Sequence, residues 1–144
     1  MRIRPASPAD APPVAILATQ LGYPTRAEEA EVRLRDVLDR PGGAVLVAED
    51  EDGSVIGWIH VFGAYRVEVE PFAEIAALVV DETRRSRGTG AALVEAAVAW
   101  AGRHGFRNLR VRSNVVRERT HAFYERLGFA RFKQQVVFVK PVGP

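Results

Sequence analysis

The chain has 144 residues, 47% apolar and 26% charged, with a formal net charge of only +2, which is the balance of an ordinary one-domain globular chain. It contains no cysteine, which excludes disulfides, thiolate metal sites and a cysteine nucleophile. Its apolar runs are too short to span a membrane and residues 1–5 lack a signal-like apolar core, so a cytoplasmic protein is expected.

Residues 1–4 alternate and predict a short strand. Ser7 or Asp10 can cap a helix running to Leu21, with Val14, Leu17 and Leu21 on one face. Gly22, Tyr23 and Pro24 break it. Thr25 is expected to cap a second helix, with Glu28 completing a capping box and Ala30, Leu34, Val37 and Leu38 forming the stripe. Residues 44–49 and 55–62 read as a hairpin turning at Asp52 and Gly53. After a loop with Glu68, Glu70 and Pro71 come a strand over 72–80, a glycine-punctuated turn, and a helix over 91–103. That helix carries Leu93, Ala97 and Trp100 on one side and stops at Gly105. A strand at 109–112, a helix at 117–127 and strands at 129–132 and 136–139 close the chain. This order predicts a mixed α/β sheet, mostly antiparallel and twisted, with one parallel right-handed βαβ unit and helices on both faces.

The turn between strand and helix is the most informative segment. Arg85, Ser86, Arg87, Gly88, Thr89 and Gly90 carry a strand end into a helix start. Such a turn exposes several backbone N–H groups at the positive end of the helix dipole, where an anion binds. Glycine allows close approach of the ligand to the backbone. The first helical turn holds no acid and Arg84, Arg85 and Arg87 precede it, so the negative charge is expected to come from a ligand phosphate. All but two of the 20 basic residues are Arg, clustered from Arg84 to Arg131. The proposed phosphate site accounts for much of that cluster, so no nucleic-acid partner is expected.

Two motifs then resemble the GNAT superfamily of N-acetyltransferases, over nearly the whole chain. Leu78, Val79, Val80 and Asp81, followed by the loop 85–90, are similar to the family's acetyl-CoA pyrophosphate loop. Phe123, Tyr124, Glu125, Arg126, Leu127, Gly128 and Phe129 are similar to the Phe-Tyr-x-x-x-Gly-Phe signature of its last helix. The element order matches as well. The resemblance implies one GNAT-like domain over 1–144 and acetyl-CoA as co-substrate. It places Leu78, Val80, Arg85, Ser86, Arg87, Gly88, Thr89, Gly90, Asn114, Arg117 and Tyr124 at the coenzyme. A homodimer is the family's habit. One departure stands out: Arg117 occupies a position where many members carry Asn, and Asn114 is the nearby amide.

Acetyl transfer to an amine needs a base to take the ammonium proton, a donor for the developing oxyanion and an acid for the departing thiolate. Without cysteine, direct transfer is favoured over an acyl-enzyme. Glu74 is the expected base. Strict alternation would point it with Ala76, Leu78 and Val80, an apolar set that suits a proton acceptor, and some members of the family place their catalytic Glu at this spacing before the loop. Tyr124 is the expected acid. His60 is a lesser candidate, and Tyr23, His60 and Glu68 are expected around the acceptor. His60, His104 and His121 are too scattered for a metal site. The expected activity is acetyl transfer to the primary amine of a small molecule. The alternatives are a protein or peptide acetyltransferase, acting on an N-terminus or Lys, and a silent acyl-CoA-binding domain.

Overall fold

In the computed structural model, which describes residues 1–84 and 87–144, the strands pair in sequence order. β1 (Arg2–Pro5), β2 (Gly43–Glu49), β3 (Val55–Ala64), β4 (Phe72–Val80) and β5 (Leu109–Val111) form one five-stranded sheet, ordered β1-β2-β3-β4-β5. The first four strands are antiparallel neighbours and β5 lies parallel to β4. The helices are α1 (Ala11–Leu21), α2 (Ala27–Leu38), α3 (Thr89–Arg103) and α4 (Glu118–Arg126). The chain forms two compact units, residues 1–112 and 113–144. No helix among the described residues is long and apolar enough to cross a membrane.

Neighbouring residues of β3 reveal which helix covers which face, because successive side chains of a strand point to opposite sides. Trp58 packs with Ala11, Val14, Ala15 and Ala30, and also with Leu34, Val45 and Val47, so α1 and α2 cover its face. A Cβ on Gly57 would lie 3.1 Å from Leu93 Cδ1 and 3.4 Å from Thr89 Cγ2, so α3 covers the other face. Glycine is required here because α3 approaches this closely. The sheet is thus sandwiched, with Ile59, Val61 and Leu93 fully buried.

The start of α1 differs slightly from expectation: Pro8–Asp10 forms a 3-10 turn before it. The buried Asp10 carboxylate accepts from the Ser7 N–H at 2.8 Å and from both terminal nitrogens of Arg4 at 2.9 Å. The cap of α2 also corrects the sequence reading. Arg26 rather than Thr25 occupies the cap, and its N–H donates to Glu29 rather than Glu28, at 3.0 Å. Thr25 is used elsewhere, its N–H donating to Thr19 Oγ1 at 3.1 Å.

In the second unit, the ring of Tyr124 packs edge-on between Phe123 and Phe129, at centroid distances of 5.0 and 5.3 Å. The strands expected at 129–132 and 136–139 are not formed: no described residue from 129 to 144 lies in a helix or strand. Val136, Val137, Phe138 and Val139 are 77%, 82%, 90% and 93% exposed. Strand propensity alone cannot make a strand without a ladder partner.

Candidate active site

The decisive local feature is a bulge in β4. His60 pairs with Ala77 and Val61 with Ile75, so Ala76 is an extra residue without a β3 partner. An extra residue reverses the alternation of everything before it. Phe62 faces Glu74, His60 faces Ala77 and Trp58 faces Val79. Glu74 therefore lies on the α1–α2 face with Trp58, His60 and Phe62. The expectation that it points with Ala76, Leu78 and Val80 is wrong by this one residue. Leu78 and Val80 sit opposite Ile59 and Gly57, on the α3 face.

Glu74 is buried, at 8% exposure. It is not enclosed by apolar groups alone, since Arg112 Nε donates to its carboxylate at 3.1 Å. The parallel register explains the contact: Glu74 lies beside Arg110, and Arg112 follows on the same face of the chain leaving β5. Arg110 itself stacks its guanidinium over the Phe72 ring, 3.9 Å from the centroid. His60 completes the group, its ring 5.8 Å from that of Phe62. Burial holds its imidazole below the ordinary histidine range, so near pH 7 it is neutral. Sequence reasoning missed Arg112; the alternating Arg110 and Arg112 beside an acid on the neighbouring strand was the available signal.

The β4–β5 ladder runs from Ala73 to Ile75 and stops at the bulge. Beyond it, among the described residues, β4 pairs with β3 alone. The backbone of residues 76–80 thus borders the turn that leads to α3. At that turn Gly88 caps the helix with φ +79°, and among the described residues no atom beyond its chain neighbours lies within 4 Å of where a Cβ would be. Thr89 is buried, and among the described residues its Oγ1 has no hydrogen-bond partner. Gly90 is already helical, and α3 begins without an acid in its first turn. These features fit an anion with a polar arm. Arg85 and Ser86 lie outside the described residues.

The arginines flanking this turn are not free of acids, as the sequence implied. Asp50, from the β2–β3 hairpin, accepts from Arg84 at 2.6 Å and from Arg87 at 3.4 Å. The Glu51 N–H, then the two guanidiniums, hold the Asp50 carboxyl below its usual range. The basic rim is thereby anchored to the sheet and partly neutralised.

In the second unit, burial pushes the Tyr124 phenol up to about 12. The side chain of Asn114 accepts from the Val116 N–H at 3.1 Å, and its carbonyl accepts from the Arg117 N–H at 3.0 Å. Asn114 thus shapes the start of α4, and Arg117 is the cap residue. Tyr23 and Glu68 are exposed. Among the described residues neither makes a hydrogen bond or ion pair with Glu74 or His60. No group of His, Asp and Glu among the described residues can hold a metal ion.

Comparison with known proteins points in one direction. The model of the "Acetyltransferase (GNAT) family" matches residues 14–129. The uncharacterized N-acetyltransferase YhfO of Bacillus subtilis is 28% identical over 134 residues, covering 90% of this chain and 89% of its own. A putative acetyltransferase from Agrobacterium tumefaciens superposes with a TM-score of 0.86 at 26% identity, over 97% of this chain and 100% of its own. The aminoglycoside N-acetyltransferase AAC(6')-Iy, in complex with CoA, shares the fold with a TM-score of 0.86 at 18% identity, over 98% of this chain and 95% of its own.

Proposed function

The chain belongs to the GNAT acetyltransferase family and is an N-acetyltransferase, and from this premise we propose that it moves an acetyl group from acetyl-CoA directly to the primary amine of a small molecule. The observation that carries the reading is Glu74: a buried carboxylate oriented by Arg112, on the same sheet face as a neutral His60.

Coenzyme A supplies an activated acyl group as a thioester. The turn before α3 holds its pyrophosphate, with the N–H groups at Gly88, Thr89 and Gly90 as donors and Arg87 beside them. The open edge of β4 after Ala76 offers backbone N–H and C=O groups to the amides of its arm. Arg85 and Ser86 belong to this set by the family's motif. Glu74 Oε accepts a proton from the substrate ammonium, directly or through one water, which frees the nitrogen lone pair for attack on the acyl carbon. As the carbon–sulfur bond breaks, Tyr124, assigned this role by the family's motif, gives its hydroxyl proton to the sulfur and regains one from the nitrogen that has attacked, which leaves a neutral amide and a thiol. Its high pKa keeps that hydroxyl protonated at every working pH.

A small-molecule acceptor is supported by the shared fold with aminoglycoside 6'-N-acetyltransferases. Tyr23 and Glu68, both exposed, are the residues proposed to meet it. The test is a screen of primary amines, N-terminal peptides and Lys peptides for acceptor-dependent release of coenzyme A. Turnover with small amines and none with peptides supports the proposal. Turnover only with peptides moves the assignment to protein acetylation. Tight acetyl-CoA binding with no turnover on any amine identifies a silent binder.

A further inference from the structure

The β2–β3 hairpin reaches the turn before α3 and holds its arginines, a relation that bears on the proposed coenzyme site and rests on that reading of the turn. The hairpin is tightly bonded. The Asp50 N–H donates to the Ser54 carbonyl at 2.8 Å, the Gly53 N–H to the Asp50 carbonyl at 3.0 Å, and the Ser54 N–H to the Asp52 carboxylate at 3.0 Å. Within this frame the two oxygens of Asp50 are used differently. Oδ1 accepts from the Glu51 N–H at 3.0 Å, which fixes the direction of the carboxylate. Oδ2 accepts from Arg84 at 2.6 Å and from Arg87 at 3.4 Å.

The two arginines flank the turn. Arg84 closes the 3-10 turn Glu82–Arg84, and Arg87 directly precedes the cap residue Gly88. One oxygen of a fixed acid thus ties both sides of the turn to the sheet. The ties are unequal: the side chain of Arg84 is 30% exposed, that of Arg87 57% and that of Asp50 14%. Arg84 is the anchor, while the longer bond leaves Arg87 open to a ligand. An exposed pair such as Asp50–Arg87 contributes little to stability. What it does is restrict a long side chain in advance, and a side chain already restricted loses less freedom when a ligand binds.

We propose that Asp50 is a positioning residue for the coenzyme: it holds Arg84 and Arg87 so that Arg87 and the N–H groups from Gly88 onward meet a pyrophosphate as one preformed surface. Asp50 has the wrong charge to touch a phosphate, so it acts through the arginines. Its own repulsion of the ligand opposes this gain, but is screened beyond about 8 Å at physiological ionic strength.

The test is calorimetric binding of acetyl-CoA at about 0.15 M salt, with Tm measured alongside. The proteins are the wild type, Asp50→Asn, Asp50→Ala, Asp50→Glu, Arg87→Ala and the double variant Asp50→Asn with Arg87→Ala. Asp50→Asn and Asp50→Ala should each raise Kd by about five- to tenfold with Tm little changed. Asp50→Glu, which keeps the charge, should recover most of the affinity. With Arg87 already replaced, Asp50→Asn should cost less than it does alone, because little is left to position. With the best acceptor, the Asp50 variants should raise KM for acetyl-CoA and leave kcat unchanged. Tighter binding in Asp50→Asn and Asp50→Ala overturns the proposal and makes Asp50 a competitor for the arginines. Unchanged affinity in both overturns it too, as does a loss that Asp50→Glu fails to relieve or that adds in full to that of Arg87→Ala. A wild type that binds no acetyl-CoA overturns the reading of the turn itself, and the proposal with it.

Discussion

Arg112 donates from Nε to the Glu74 carboxylate at 3.1 Å, across two parallel strands. The pair is unequal, for the Glu74 side chain is 11% exposed and that of Arg112 57%. The carboxylate is therefore fixed and shielded while its partner reaches water. Such a pair orients a proton acceptor without burying both charges.

Replacing Glu74 tests its role directly. Glu74→Gln keeps the shape and a hydrogen-bond acceptor but removes the proposed base, so turnover of the best acceptor should fall by roughly 10²–10⁴-fold. Affinity for acetyl-CoA should stay within a few-fold, which separates chemistry from binding. Full activity in this variant would place the base elsewhere, with His60 the next group to replace.

The coenzyme turn is tested with Gly88→Asn. Gly88 has φ +79° and open space around the missing Cβ, and Asn tolerates that backbone region better than other residues. The variant should fold normally and bind acetyl-CoA at least about tenfold more weakly, a loss of about 1.4 kcal/mol. In the wild type, acetyl-CoA at about 100 times its dissociation constant should stabilise the fold by about 2.7 kcal/mol, or about 5–11 °C in Tm. Unaltered binding in the variant would remove the turn from the coenzyme site.

Tyr124→Phe deletes only a hydroxyl from a ring packed against Phe123 and Phe129. Turnover should drop by roughly 10²-fold with Tm little changed. Because burial places the phenol near 12, the wild-type rate should show no alkaline fall from Tyr124 up to about pH 10. An unchanged rate in the Phe variant would leave Tyr124 as a packing residue.

His60 gives a pH signature in stability. Its imidazole is held below the ordinary value by burial, so the unfolded chain takes up a proton first as pH falls below about 6.5. Stability is then lost from that point downward until the folded pKa is reached, and nothing is lost above it. Tm measured from pH 8 to 5 should decline for the wild type, and less steeply for His60→Gln. Equal slopes would mean that His60 is solvated in both states.

Much of this protein is legible in its sequence. Periodicity and turn residues fix α1, α3, the β2–β3 hairpin and the βαβ order, because those signals act between residues close along the chain. The glycine turn is legible for the same reason: a left-handed Gly88 at a helix start is a local requirement. Glu74, His60 and Tyr124 were visible as residue types, and the role proposed for Tyr124 comes from the motif around it.

Only the tertiary structure decided what surrounds them. Ala76 looks like any strand residue, yet as a bulge it moves Glu74 to the other face of the sheet. Period-two reasoning cannot detect one extra residue, because register is set by the partner strand. The same holds for Arg112 beside Glu74 and Asp50 beside Arg84, pairs separated by 38 and 34 residues and brought together only by the fold. Residues 136–139 carry strand propensity that the sequence displays in full. Whether a strand forms depends on a ladder partner, and that is supplied by the fold or by another molecule, not by the segment itself.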